Sequence, residues 1–551
     1  MAITILGFVM IIKYIRKFKF LKNSPIMRKY FAHNKKFFFD NDKYQQRKAV
    51  VLFELNNMQS AHIAYSYVSN ILAAEYSAKI IAYHPSRYAN RWNRLIFEIK
   101  KLLGLQEFGV YKSFGTADFE MIKITESQSE KARNLCSIII DNLHDKWDIE
   151  KITINDILLG DLIYDSYLRC YNKPTIDKAS IEFQYFLQES IEIFVYWEDY
   201  FNSHNVRAVN VSHCVYNLAI PLRLAIARNI PAFQASATHV YRMNKRNYFA
   251  YSDYLYFPKL FASLPEAIKK AGIEEAKRRI EKRFSGEVGV DMAYSTKSAY
   301  SASRQVRLLQ ETSKKKVLIA AHCFFDSPHS YGNNIFPDFY EWLDFLGKMT
   351  EVTDYDWYIK THPDYLPGTK EVIDDFVIKY PKFKLLPADA SHHQIIAEGI
   401  DFALTVYGTI GFEYAALGIP VINCSLNNPH IAYNFNLHPK SVDEYRCLLL
   451  DLDALEFNFD KQQVYEYYFM RHIYSNSDLF FNSYEATIND LGGYSFQFTD
   501  RIYEKWLAEW TLEKHQYIIS SIESYILSGA YRMGFNYVGQ NLTNTSTAPI
   551  L

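Results

Sequence analysis

The residues Lys360-Thr361-His362-Pro363 close a short apolar run that opens at Trp357. Further along the chain, Gly408-Thr409-Ile410-Gly411 and Glu413 follow a second run, Phe402-Ala403-Leu404-Thr405-Val406. Each run has the composition of a buried parallel strand, and each ends in residues that favour turns and polar contacts. Open α/β sheets bind ligands at that edge. The stretch from Gly408 to Gly411 falls between a strand and a predicted helix, where free backbone N–H groups and the helix dipole would receive a phosphate. Thr409 adds a hydroxyl, and the glycines permit close approach. Glu413, one turn into that helix, is placed to accept hydrogen bonds from a ribose or sugar hydroxyl. The competing reading is a tight strand-to-helix turn with an ordinary surface glutamate.

Two further clusters belong to the same edge. The run from Ala321 to Asn334 follows the first strand of the second domain, and His322 and Asp326 within it are expected to hydrogen-bond a sugar or diphosphate. His322, Asp326 and His329 lie on an irregular loop with no fourth ligand, so no metal site is predicted. Asn427-Asn428-Pro429-His430 follows another strand end, which would let Asn428 contact the sugar or nucleobase.

The elements that must hold these residues repeat a β-then-α pattern twice. Ala49 to Leu55 and Lys79 to Tyr83 read as strands around a loop, Asn56 to His62, that leads into a long helix. Arg207 to Val211 and Ile230 to Gln234 read as later strands, with a helix from Tyr216 to Arg228 between them. Residues 285–315, rich in Ser, Gly, Lys and Arg, make the predicted boundary. Beyond it, strands are expected at Val317 to Ala321, Trp357 to Lys360, Phe383 to Leu386, Phe402 to Val406 and Pro420 to Asn423, with helices between them. The expected fold class is α/β: two Rossmann-like doubly wound domains with a basic N-terminal arm and C-terminal helices. The segments would be an arm over 1–48, an acceptor domain over 49–310, a nucleotide-sugar domain over 311–495, and helices with a polar tail over 496–551.

With 551 residues the chain exceeds one core, and 49% hydrophobic residues make it globular. Lys+Arg and Asp+Glu are both 61, so the broad positive footprint of a nucleic-acid binder is missing. The six cysteines are scattered, without a CxxC pair, as suits a reducing cytoplasm. The first forty residues differ in kind. An apolar run from Ile3 to Ile12 precedes Lys13, Arg16, Lys17, Lys19, Lys22, Arg28, Lys29, Lys35 and Lys36, and Asp40 is the first acid. The run is shorter than the roughly 20 residues that cross a bilayer. Interleaved Phe18, Phe20, Leu21, Ile26, Met27, Phe31, Phe37, Phe38 and Phe39 would sink into a membrane surface while the cations meet anionic headgroups. The alternative is a helix packed on the protein's own body.

The order Lys360-Thr361-His362-Pro363, Gly408-Thr409 with Glu413, then Gly418-Ile419-Pro420-Val421-Ile422 resembles that of GT-B bacterial capsule and surface-polysaccharide glycosyltransferases, including Kdo-transferase-like and sialyltransferase-like enzymes. The resemblance implies that the His-Pro motif and the following Ser/Thr motif hold the phosphate and ribose of a cytidine nucleotide. Gly408 stands where the sialyltransferase type has its first hydroxyl residue. The layout is also similar to that of teichoic-acid glycerophosphotransferases, which use CDP-glycerol and usually carry Asp-Tyr-Ser-Ser where this chain has Val406-Tyr407-Gly408-Thr409. UDP-GlcNAc 2-epimerases share it too, with paired glutamates where this chain has Glu413 alone.

Inverting transfer needs a base for the acceptor hydroxyl and positive charge or dipoles for the departing phosphate. His362 suits the second task, with Lys360, Pro363, Gly408, Thr409 and Gly411 around it. For the base, His62 in the loop after the first strand is one candidate. Asp161 and Asp165, in Gly160-Asp161-Leu162-Ile163-Tyr164-Asp165, are others, although Asp161 is equally read as a helix N-cap. His213 and His239, at predicted strand ends, are weaker acceptor-side candidates. The expectation is a cytoplasmic glycosyltransferase, peripheral on the inner face of the cytoplasmic membrane. It would take a nucleotide-sugar donor and a lipid-linked or polysaccharide acceptor, with no cofactor and no metal. An epimerase, a glycerophosphotransferase and a non-catalytic polysaccharide assembly protein are the alternatives.

Overall fold

A computed structural model of the protein describes residues 22–38, 47–85, 91–292, 295, 297–300, 306–362, 367–475 and 478–534. Strands β1 (Ala49–Glu54), β2 (Lys79–Tyr83) and β3 (Thr116–Glu120) come first, followed by a small hairpin of β4 (Thr153–Ile154) and β5 (Ile157–Leu158). β6 (Asn205–Val211), β7 (Ala232–Ala235) and β8 (Val240–Met243) complete the first domain. Its sheet runs β3-β2-β1-β6-β7-β8, parallel except for β8, which pairs antiparallel with β7. The second domain holds β9 (Lys316–Ala320), β10 (Asp356–Lys360), β11 (Phe383–Leu385), β12 (Phe402–Thr405) and β13 (Val421–Asn423), all parallel in the order β11-β10-β9-β12-β13.

Both sheets are doubly wound, and in each the strand order reverses beside the first strand. That puts a crevice between β1 and β6 in one domain and between β9 and β12 in the other, where such sheets take ligands. The strands read as unbroken apolar runs because both faces are covered. Val50 and Leu52 face one core of the first sheet while Val51 and Phe53 face the other. In the second, Val317 and Ile319 oppose Leu318 in the same way.

Two features depart from the sequence reading, and two long-range packings add to it. The helix Gln59–Glu75 begins inside the segment expected as a loop and already contains His62. The stretch expected as one helix from Tyr216 to Arg228 is a short turn, Asn217–Ala219, followed by the helix Ile220–Ala227. The helix Glu266–Phe284 contributes Ala276 and Ile280 to a core shared with Phe412, Tyr467 and Tyr468 of the second domain. The helices Arg501–Glu509 and Leu512–Ser528 return to the first domain and bury Tyr503, Trp506 and Ile518 against its sheet-covering helix Gln59–Glu75.

The arm requires a correction. Residues 1–21 and 39–46 lie outside the described residues, but Pro25–Phe38 is a helix seated on the protein. Tyr30 is wholly buried and stacks on Tyr503 with ring centroids 4.2 Å apart. The Asn34 amide donates to Ser113 Oγ at 3.0 Å. Ile26, Met27, Phe31, Phe37 and Phe38 pack into the same core rather than presenting themselves to lipid. The helix periodicity that suggested a membrane face is satisfied by the protein's own C-terminal helices. Arg28, Lys29, Lys35 and Lys36 remain exposed. Among the described residues no helix is long and apolar enough to cross a membrane.

Candidate functional site

At the crevice of the second domain, His322 follows β9 and Thr405 ends β12. Thr405 Oγ1 donates to His322 Nε2 at 3.0 Å and accepts the Gly408 N–H at 3.1 Å. The same Nε2 accepts the Val406 N–H at 3.1 Å, so it carries a lone pair and the ring proton sits on Nδ1. Burial, with the charge of nearby His362, lowers the His322 pKa to about 3 and keeps it neutral. Phe339 stacks on it at 4.6 Å and Tyr407 tilts against it at 4.9 Å. Gly408 is required here because a Cβ would lie 2.7 Å from Thr405 Oγ1.

One strand over, β10 delivers Lys360 and Thr361 to the same edge, both buried, and then exposed His362. Lys360 Nζ donates to the Ala388 carbonyl at 3.1 Å and forms no ion pair among the described residues. Burial pulls its pKa down to about 8 against the upward pull of Glu413 and Asp389. His392, first residue of the helix His392–Ala397, is buried with its Nδ1 2.7 Å from Tyr414 Oη. Burial and then the charges of Lys360, Arg283 and His362 push its pKa well below the usual value. A buried cation, two neutral imidazoles and an exposed histidine therefore share one sheet edge, a setting suited to an anion. Pro363 lies outside the described residues.

The remaining expectations fare unequally. Glu413 does not face an open ribose position: it is buried, its Oε1 accepts Arg283 Nε at 2.9 Å and Nη2 at 2.5 Å, and its Oε2 accepts Tyr300 Oη at 3.0 Å. Arg283 and Tyr300 come from far along the chain, and no local spacing announces them. Thr409 precedes the short helix Ile410–Ala416 without capping it by its side chain. Gly411 serves packing rather than phosphate approach, since a Cβ there would lie 2.5 Å from the His430 ring. Asn428 is wholly buried and structural: its Oδ1 accepts the His430 N–H at 2.9 Å, and its Nδ2 reaches Ser425 O and His438 Nδ1, each at 3.2 Å. Asp326 is exposed and accepts Tyr216 Oη from the first domain at 2.6 Å. Tyr216 holds this contact with φ at +64°, a costly backbone conformation for a tyrosine.

The three base candidates are corrected by their burial. His62 Nδ1 accepts Tyr503 Oη at 2.6 Å and its Nε2 donates to Asn56 O at 2.9 Å, so both nitrogens are engaged. Burial lowers its pKa to about 4, with the Asn56 bond pulling the other way. Asp161 is neither base nor cap: it is paired with Arg223, Nη2 to Oδ2 2.5 Å, in a site closed to solvent on both sides. Asp165 is buried against His329, 2.6 Å away. His239 is held by Ser236 and Tyr251 as a packing residue.

The crevice of the first domain carries a relay that the sequence reading did not assemble. Glu54 ends β1 and Ser212 follows β6. Ser212 N and Oγ donate to Glu54 Oε2 at 2.6 and 2.8 Å. His213 Nδ1 lies 3.0 Å from Ser212 Oγ, which has already given its proton to Glu54 and so accepts from the imidazole. That leaves the lone pair on Nε2. Burial raises the Glu54 pKa, with the two Ser212 bonds opposing it. Protein crowds the flanks of His213 and lowers its pKa, Asp326 pulling upward, while the ring still reaches solvent. The signal available in the sequence was positional: a glutamate and a Ser-His pair at the ends of two strands. The contact of Tyr216 with Asp326 brings this edge to the loop that starts at His322.

No protein-family model matches the chain, and no curated protein matches it. Among solved structures it is similar to UDP-GlcNAc 2-epimerase from Neisseria meningitidis bound to UDP-GlcNAc, at 11% identity and a TM-score of 0.20 over 77% of this chain and 96% of that one. It is similar to the glycotransferase of kitacinnamycin at 10% identity and a TM-score of 0.21, over 78% of this chain and 96% of the other. For a ugt transferase from Siraitia grosvenorii in complex with UDP the values are 9% and 0.20, over 84% and 100%. Overlap this loose says nothing of activity. The plan of two Rossmann-like domains, as in the GT-B class, stands on the chain's own strand orders.

Proposed function

We propose that the protein is a glycosyltransferase that draws a sugar from a nucleotide-activated donor and adds it to a growing capsular or other surface polysaccharide. The observation that carries this reading is Lys360, a buried cation at the ligand edge of the second sheet whose bonded partner among the described residues is a backbone carbonyl. A donor diphosphate would complete it, with His362 and the His322 Nδ1–H beside it. His213 Nε2, across the cleft, would take the proton of the acceptor hydroxyl, held in its tautomer by Ser212 and Glu54. The motif order around Lys360 and His362 favours a cytidine nucleotide. The membrane surface at the inner face of the cytoplasmic membrane would be where a lipid-linked acceptor is met. In this proposal the chain's own acid–base and electrostatic groups would serve the reaction without a cofactor or metal.

The test is calorimetric titration with CMP, CDP, UDP and GDP, with Lys360→Met as control, followed by product analysis on the nucleotide-sugars of the base that binds. Selective binding that the substitution abolishes, and transfer of label to an acceptor, are the expected results. UDP or GDP selectivity would retain the transferase and discard the cytidine donor. Release of an epimerised sugar without acceptor, or of CMP from CDP-glycerol, would replace the transferase by the corresponding enzyme on this scaffold. Failure of every nucleotide to bind would leave an assembly protein.

A further inference from the structure

The helix Arg91–Leu103 is turned the wrong way for a soluble surface helix. It rests on the protein through Phe97, which is 2% exposed and meets Phe108 edge-on at 4.9 Å. The opposite stripe carries Leu95, Ile96, Ile99, Leu102 and Leu103, with 49, 37, 38, 79 and 63% of their surfaces exposed. These positions recur at helical spacing and form one continuous apolar face, where an ordinary amphipathic helix would show polar residues.

The margins of that face are basic. Arg94 is exposed, Lys100 lies beside the face and binds Glu107 at 3.1 Å, Lys101 falls one turn after Phe97 on the protein side and binds Asp118 at 2.7 Å, and Glu98 is the helix's one acid. The N-terminal chain arrives at the same corner: Asn23 Nδ2 donates to Gly104 O at 3.0 Å, and Gln106 N donates to Asn23 Oδ1 at 2.7 Å. Residues 1–21 therefore join the described protein beside Leu102 and Leu103. Their sequence is apolar from Ile3 to Ile12 and then basic through Lys13, Arg16, Lys17 and Lys19, and exposed Arg28 and Lys29 follow immediately. A large apolar face and a basic border lie together on one side of the first domain, at the corner where the described chain begins.

The geometry points to this face as the surface that lies on an anionic lipid bilayer, with Leu95, Ile99 and Leu102 entering the interface and the surrounding cations meeting phosphate headgroups. It rests on the membrane-surface part of the proposed function and not on the transfer chemistry. The contact it assigns is made by the folded helix, which inserts, and by exposed Arg94, Arg28 and Lys29, which add charge.

Flotation of the full chain with vesicles separates the occupants. Vesicles of phosphatidylcholine containing about a third phosphatidylglycerol should carry the protein, and pure phosphatidylcholine should carry much less. The triple variant Leu95→Ser, Ile99→Ser, Leu102→Ser should keep its melting temperature and its nucleotide binding and lose at least about tenfold of its partitioning. Wild type that does not float, or a triple variant that floats like wild type, would overturn the assignment. A variant that melts much lower would mean that the chain's own N-terminal residues cover the face. A wild-type dimer that the variant turns into a monomer, with no vesicle binding by either, would give the face to a second copy. Either result would also overturn it. Nucleotide titration of the same samples reads the donor site independently.

Discussion

His329 Nδ1 lies 2.6 Å from Asp165 Oδ1, and its Nε2 lies 3.0 Å from Glu150 Oε2, so one imidazole of the second domain is held between two carboxylates of the first. Burial alone would lower the His329 pKa, but the Asp165 charge and the bonds to both acids outweigh it and hold it up at about 10. Burial pushes Asp165 up to about 6 against the pull of His329. The cation is thus present at neutral pH and links the two domains.

For His329 the folded pKa exceeds the ordinary 6.5, so its stabilising contribution is complete below about 6.5 and disappears as pH rises to about 10. His329→Gln should cost about 3 kcal/mol near neutrality, because it leaves buried Asp165 and half-buried Glu150 without their counter-ion. The gap to wild type should narrow toward the alkaline end. Denaturant unfolding of both proteins across that range checks it, and a gap independent of pH would mean that His329 is neutral.

Lys360 gives a second pH signature. Its pKa of about 8 means that its charge is lost as pH rises through that value, far below where an ordinary lysine titrates. Nucleotide affinity should therefore fall from about pH 7 to about pH 9. Lys360→Met should bind roughly tenfold to a hundredfold more weakly, as expected for a hydrogen bond to a charged group, and should show no such slope. Calorimetry at several pH values reads both quantities. A slope retained by the variant would place the titrating group elsewhere.

Glu413 is expected to act on stability. With Arg283 and Tyr300 occupying its oxygens, Glu413→Gln strands a mostly buried guanidinium and should destabilise the protein by about 2–4 kcal/mol. Replacing Arg283 by Met in the same chain should recover part of the loss. A role in holding ribose makes the opposite prediction: unchanged unfolding and weakened nucleotide binding.

Glu413 also marks where sequence reading stops. The strands were legible because a parallel strand covered on both faces must be an apolar run, and β9, β10 and β12 lie within a residue or two of the expected positions. The ligand edge was legible for the same reason, since Lys360 and Gly408 terminate such runs. Partners were not. Arg223 beneath Asp161, Arg283 beneath Glu413 and Tyr503 over His62 come from distant segments, and each converts a polar residue that looked catalytic or ligand-binding into a satisfied interior group. The arm misled in a related way: a basic amphipathic helix has one periodicity whether its apolar face meets lipid or Trp506.

The relay at the first crevice yields the most demanding prediction. Ser212 Oγ gives its proton to Glu54 and accepts one from His213, which fixes the free lone pair on His213 Nε2 toward the cleft. If that lone pair accepts the acceptor's proton, His213→Asn should lower kcat by about a hundredfold to ten-thousandfold while leaving the donor Kd within about twofold. Ser212→Ala should cost less, since the imidazole survives but loses its tautomeric restraint. It should also move the acidic limb of the pH–rate profile, a shift that a residue of purely structural importance would not produce. Steady-state kinetics with the donor identified by titration, together with melting curves of both variants, decide the matter. Loss of donor affinity in parallel with kcat would assign His213 to binding, and unchanged turnover would remove it from the reaction.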